Sequence, residues 1–207
     1  MESFWDVIQR RRSIRHFKSD SVPREIIEKC ISAANIAPSG GNQKNWRFIV
    51  VQSSEKMEQL QKIVEARIYT LQSSLKSARA KKEFESYSLR YFTFFADAPA
   101  VICVVMRPYD SLTARILNKL NPDASYQTSA GIQSVAAATE NLLLAATSFG
   151  LGTCWMTGPL IACDELQKRL GIADPESLVA LVPMGYPVEE PLSHKLKKDV
   201  DDIIEWI

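Results

Sequence analysis

Residues 129–150, SAGIQSVAAATENLLLAATSFG, hold one charged side chain, Glu140, in a run long enough for about six helical turns. A helix with so little polarity has no face to turn to water and must be covered on nearly every side. The chain has 207 residues, enough for one compact domain. So small a body cannot by itself surround a helix of that length. Part of the run is therefore expected to pack on a second copy, making a homodimer. Gly150 ends the helix, and Gly152 and Gly158-Pro159 keep the apolar stretch that follows too short to span a membrane.

The rest of the chain alternates helical and extended patterns. Ser3 caps a first helix with Phe4, Val7 and Ile8 on one face, ending near Arg11. Pro23 is expected at the first position of a second helix carrying Ile26, Ile27, Cys30, Ile31 and Ala34. APSGGN (37–42) breaks into a loop, and WRFIVVQ (46–52) reads as a buried strand. One polar helix is expected over 54–82, with Met57, Leu60, Ile63, Val64 and Ile68 on one side. The aromatic piece YFTFFADAP then leads into a second central strand, AVICVVM (100–106). Residues 107–127 read as a connection with a helical turn inside. Strands near 152–157 and 178–184, a helix at 163–170 and a β-prone tail, DDIIEWI, complete the pattern. No repeat or linker divides it. The interleaving predicts an α+β domain with a mixed sheet between helices, a lid or excursion at about 65–127 and a C-terminal arm at about 188–207.

Composition removes several function classes. A net charge of +1 gives no general attraction for nucleic acid or acidic membranes. Cys30, Cys103, Cys154 and Cys163 show no CxxC pairing or zinc-ligand spacing, so buried thiols are expected and no metal. MESFWDVIQR has no apolar signal region, which points to a cytoplasmic protein. With only His16 and His194 present, a Ser-His-Asp hydrolase is disfavoured.

Against that neutral background stands RRRSIRHF, residues 10–17. One reading is structural: cations in a helix's last turn are stabilised by its dipole, by about 0.3–1 kcal/mol each. The other is an anion site. Guanidinium groups about 4 Å apart repel by ~4 kcal/mol at an effective dielectric near 20. A phosphate relieves that repulsion, because arginine matches its oxygens bidentately and Ser13 adds a hydroxyl. No P-loop is present and no G-x-G-x-x-G follows a strand; GLG at 150–152 follows a helix instead.

RRRSIRHF, APSGGNQKNWRFIVV (37–51), GLGTCWMTGP (150–159) and VPMGYP (182–187), in this order, together resemble the nitroreductase superfamily over essentially the whole chain. The resemblance implies a largely antiparallel sheet flanked by helices, in an intertwined homodimer with FMN where the subunits meet. It implies NADH or NADPH as donor and ping-pong reduction of nitroaromatic, quinone or similar electron-poor substrates. Arg11, Arg12, Ser13 and Arg15 would hold the FMN phosphate and ribityl chain. Pro38, Ser39, Gly40 and Asn42 would pass beside the isoalloxazine from the other subunit, with Gly41 towards substrate. Trp155, Met156 and Thr157 would lie against the ring, where the Thr157 hydroxyl could tune flavin N5. Lys198 would complete the phosphate site, with Lys197 and Lys195 as competitors. Lys44 and Asn45 depart from the glutamine and proline common in relatives, while Trp46 is kept.

The same stretches also resemble the iodotyrosine deiodinase branch, which holds its substrate with a lid Glu, a Tyr four residues on and a Lys. Glu65 and Tyr69 have that spacing and share a helical face. Phe92 stands where the Lys is expected, with Arg90 nearby. A third reading, from another class, is a non-catalytic module that binds RNA or an anionic lipid through RRRSIR.

Overall fold

The computed structural model describes residues 3–121, 128–189 and 200–207. Helix α1 (Phe4–Arg10) opens on a reciprocal cap, in which the Ser3 hydroxyl accepts the Asp6 N–H and the Asp6 carboxylate accepts the Ser3 N–H. Pro23 stands just outside α2 (Arg24–Asn35), at the capping position and not the first helical one. Strand β1 (Trp46–Val51) follows the 37–45 loop. The single helix expected over 54–82 is two helices, α3 (Ser54–Ser74) and α4 (Ala78–Phe92). The break has a local cause: the Ser77 hydroxyl accepts the Ala80 N–H and starts a new helix. Helix α4 also takes in Tyr91 and Phe92, the start of the aromatic piece.

Strand β2 (Ala100–Met106) leads into 107–121, where the expected helical turn is a full helix, α5 (Leu112–Leu120). Helix α6 (Ala130–Ser148), strand β3 (Gly152–Thr153), helix α7 (Cys163–Leu170) and strand β4 (Ser177–Gly185) follow. The sheet order is β1-β2-β4-β3, antiparallel at every pairing. The strand expected over 152–157 is interrupted. Thr153 pairs with Met184 and Met156 with Leu181, in one continuous register that sets Cys154 opposite Pro183. Cys154 N–H donates to Pro183 O at 3.4 Å, but proline has no N–H to return, so the pairing is incomplete there.

The central strand is covered on both faces. Ala100, Ile102 and Val104 join a core with α2 and α6, containing Ile27, Cys30 and Leu142. Val101, Cys103 and Val105 join a second core with α3 and α7, containing Leu60, Val64, Ile68, Phe95 and Leu166. A register shift between Val104 and Val105 bends β2 against β4. All four cysteines are free, and burial pushes the Cys30 and Cys103 thiols up to about 11 and about 12. Among the described residues no helix is long and apolar enough to cross a membrane, and no metal-ligating cluster is found.

Within one chain α6 is buried along one side only, through Val135, Ala138, Leu142 and Ala146. Its other side leaves Ile132 exposed and Ala136, Glu140 and Leu144 half-buried. The tail is not a strand of its own chain: a short 3-10 turn at Val200–Asp202 precedes Ile203 and Trp206, which are 70% and 90% exposed.

Glu176 ties three elements together. Arg47 of β1 donates Nε to it at 3.1 and 3.2 Å, and Arg107, just past β2, donates at 3.2 Å. The hydrogen bond from Arg47 first, then that from Arg107, hold its carboxyl below the ordinary range. A folded-state value below the unfolded one gives stability that is present above about pH 4.3 and lost as pH falls through the folded value. Glu176→Gln is expected to lower Tm by about 2–4 °C at neutral pH, equivalent to about 1 kcal/mol. Melts recorded in acid should show the gap to wild type closing; a gap that persists below both values would show that the charge is not its source.

Candidate functional site

Residues 12–17 leave α1 as an extended run pinned at both ends. Ile14 N–H donates to Thr153 O at 2.8 Å, and Val188 N–H donates to His16 O at 3.2 Å. Ser13 lies beside Thr153 and Phe17 beside Pro187, so the run is stitched between β3 and the chain after β4. The three consecutive arginines then part. Arg10 donates Nη2 to Thr147 O at 3.1 Å, satisfying a carbonyl in the last turn of α6. Arg11 places Nε 3.4 Å from Glu140 Oε1, on the one charged side chain of that helix. Burial holds the Glu140 carboxyl above its ordinary range, and Arg11 only partly opposes that. Arg12 borders two cavities, the smaller of them shared with Arg10.

Arg12, Ser13, Arg15 and His16 line a cavity of about 750 Å³. Ile14 and Phe17 of the same run also line it, and the opposite side comes from the end of α4 and the turn after it, through Arg90, Tyr91, Phe94 and Asp97, and from Val188 and Glu189. Arg12 also borders a smaller hollow of about 160 Å³ beside Gly150, Leu151 and Gly152. The volume suits a drug-sized organic ligand. On the 12–16 run the guanidinium groups of Arg12 and Arg15 and the hydroxyl of Ser13 suit a phosphate, and the aromatic wall suits a planar ring system. Beside it Cys154 stays a neutral thiol: burial raises it, and Arg15, a Ser13 hydrogen bond and Arg11 only partly oppose that.

Past β3 the backbone alternates. Trp155 and Thr157 are exposed, whereas Met156 is 4% exposed and packs in the core under the sheet. Gly158 is in contact with Phe92 of α4; a Cβ there would lie 2.1 Å from the ring. The end of α4 is thereby seated on segment 155–158.

The loop at 38–45 is strained and heavily braced. Gly41, Asn42 and Lys44 have φ of +56°, +54° and +47°, in the left-handed region. Gly40 N–H donates to Ser134 Oγ at 3.0 Å, and Lys44 N–H donates to Ser39 Oγ at 3.0 Å. Gln43 exchanges two hydrogen bonds with the Asp110 backbone, at 2.6 and 2.9 Å. Asn45, where relatives carry proline, donates Nδ2 to Gly131 O and Arg107 O at 3.2 and 3.3 Å, bonds no proline can make. Gly40 owes its lack of a side chain to Tyr109, whose hydroxyl would stand 2.5 Å from a Cβ.

One chain thus brings Arg12, Ser13 and Arg15 together with the end of α4, but the loop at 38–42 does not line that cavity. Glu65, half-buried, and Tyr69, exposed, sit a turn apart on α3 and do not line it either. Lys195, Lys197, Lys198 and His194 lie outside the described residues. Sequence reasoning missed Tyr91, Phe94 and Asp97 as cavity residues, and the bracing by Tyr109, Asn45 and Ser134. The aromatic run at 91–95 was the one available signal for the former.

An iodotyrosine deiodinase 1 from Mus musculus is 28% identical over 98% of this chain and 68% of its own. A putative NADH dehydrogenase/NAD(P)H nitroreductase from Archaeoglobus fulgidus is 30% identical over 92% of this chain and 88% of its own. Among solved structures, a BluB-like flavoprotein from Clostridium difficile 630 superposes with a TM-score of 0.90, at 29% identity and full coverage of both chains. The model of the Nitroreductase family matches residues 8–186, so the chain belongs to that family.

Proposed function

We propose that the chain is an FMN-dependent oxidoreductase that draws electrons from NADH or NADPH and reduces nitroaromatic, quinone or similar electron-poor substrates by a ping-pong mechanism. The observation that carries this reading is the cavity where Arg12, Ser13 and Arg15 meet the aromatic end of α4. Bound there, FMN would supply the two-electron chemistry, with hydride exchanged at its N5. Arg12 and Arg15 would neutralise the phosphate and Ser13 would give it a hydroxyl hydrogen bond. Exposed Trp155 and Thr157 would face the ring while Met156 anchors the segment from behind. Donor and oxidant would use the same exposed face in turn.

The reading includes a cytoplasmic homodimer. Two features support the second copy: the half of α6 that its own chain leaves uncovered, and the apolar tail at Ile203 and Trp206. A third is that the braced loop at 38–42 is outside its own chain's cavity, so a partner's loop would complete the site. Four free thiols fit a reducing compartment.

A second reading, reductive dehalogenation of halotyrosines, is favoured by the 28% identity to an iodotyrosine deiodinase and by Glu65 and Tyr69 one turn apart on α3. Purified protein is expected to be yellow or to become so with FMN, to be bleached anaerobically by NADH or NADPH, and to be reoxidised rapidly by nitrofurazone or menadione. Protein that stays colourless with FMN added would point to the binding module. Halide release from 3-iodotyrosine with little nitro turnover would put the second reading first.

A further inference from the structure

We infer that the Tyr109 hydroxyl, held against Gly40 on the loop at 38–42, binds substrate by donating a hydrogen bond to its nitro or quinone oxygen. The inference rests on the proposed function, in which that loop completes the partner's site, and adds the group that meets the substrate's reducible end. Tyr109 follows β2, far in sequence from the loop. A Cβ on Gly40 would stand 2.5 Å from its hydroxyl, 2.8 Å from Cζ and 2.9 Å from Cε2. One on Gly131, the second residue of α6, would stand 2.8 Å from the Tyr109 Cβ. The side chain is thus laid between two glycines with its polar end on the loop.

Its segment is tied to the loop on both sides. Arg107 N–H donates to Asn45 O at 2.9 Å, and Asn45 Nδ2 donates back to Arg107 O at 3.3 Å. Beyond Tyr109, Gln43 engages both polar groups of the Asp110 backbone, at 2.6 and 2.9 Å. Wherever the loop goes, the hydroxyl goes with it.

Packing accounts for the ring and not for the hydroxyl. A phenylalanine would fill the space between Gly40 and Gly131 as well. Among the described residues the hydroxyl makes no hydrogen bond. The unpartnered side-chain atoms sealed from solvent there are Asn45 Oδ1 and Ser88 Oγ, so the Tyr109 hydroxyl is open to an outside group. A tyrosine O–H that is partly covered usually finds a partner. The next residue along the loop, Gly41, is the one that the family resemblance turns towards substrate. A phenol has a hydrogen to give, and a nitro or quinone oxygen has only lone pairs to offer. That oxygen gains negative charge as electrons arrive, so the bond strengthens on the way to the transition state.

The test is stopped-flow reoxidation of the reduced holoprotein, wild type against Tyr109→Phe, which keeps the ring and removes only the hydroxyl. Reoxidation by menadione and by nitrofurazone is expected to slow by about 10- to 100-fold, the scale of one lost hydrogen bond to a charged oxygen. Reoxidation by ferricyanide, which takes single electrons and offers no carbonyl or nitro oxygen, should be unchanged. Flavin reduction by NADH or NADPH, FMN affinity and Tm should be unchanged too. Menadione and nitrofurazone rates that ignore the substitution, or an equal loss with ferricyanide, would overturn the inference. Slower reoxidation that merely follows lost FMN or a lowered Tm would overturn it as well, by assigning the hydroxyl to structure. A flavin that is reduced normally but whose reoxidation ignores Tyr109→Phe rejects this inference alone. Protein that takes up no FMN, or that neither nucleotide reduces, rejects the oxidoreductase reading and the inference with it.

Discussion

Arg12→Ala combined with Arg15→Ala is expected to weaken FMN binding by at least about 100-fold while leaving riboflavin binding within a few-fold of wild type. A hydrogen bond to a charged group is worth about 1.5–3 kcal/mol net. Losing two therefore costs about 3–6 kcal/mol, or a factor of about 100 to 20,000 in affinity. Riboflavin lacks the phosphate, so it isolates the electrostatic part from contacts with the ring. Neither residue is in a core cluster, so the melting temperature of the apoprotein should hardly move. Arg11→Ala makes a useful contrast, because Arg11 is already engaged by Glu140 at 3.4 Å. Its loss should cost less FMN affinity and more stability. Fluorescence titration of FMN and riboflavin against the variants reads both quantities. Equal losses for the two ligands would show that the cradle does not hold a phosphate.

What could be read from the sequence was whatever is encoded locally. Strands β1 and β2 are runs of β-branched residues and stood out, as did α6, whose apolar length had one physical solution. The arginine run was legible because its chemistry is dense: repulsion among neighbours in sequence requires an anion or a set of partners. The structure supplies some of both, giving Arg10 and Arg11 to α6 and turning Arg12 to the cavity. The break at Ser77 was missed because helical periodicity continues across it, and a capping serine looks like any other polar residue. Pro183 was missed as the reason β3 stops, since its effect depends on which residue lies across the ladder. Phe92 and Tyr109 are single residues far in sequence from what they border. Only the packing of α4 on Gly158, and of Tyr109 on Gly40, gives them a role.

That packing leads to the second large effect. Gly158→Ala is expected to cut kcat/KM by about 100-fold with FMN still bound, the scale of loss that follows misplacing a site by about 1 Å. The new methyl carbon would lie 2.1 Å from Phe92 Cδ1, 2.5 Å from Cε1 and 2.9 Å from Cγ. Contact with Cγ, the root of the ring, means that flipping the ring cannot clear it. Either segment 155–158 or the end of α4 must move, at the 1–3 kcal/mol typical of overpacking. The end of α4 lines the cavity and rests on segment 155–158, so either shift would move Arg90 and Tyr91 relative to that segment. Deleting the ring should relieve the clash. Gly158→Ala with Phe92→Ala is expected to be less damaged than the two single changes combined, with a coupling above about 1 kcal/mol in both Tm and kcat/KM. Phe92→Ala alone is milder, because that ring is only half-buried and its loss leaves a partly open hollow. Strictly additive costs across the cycle would mean that the contact between Gly158 and Phe92 does not set the distance between the two walls.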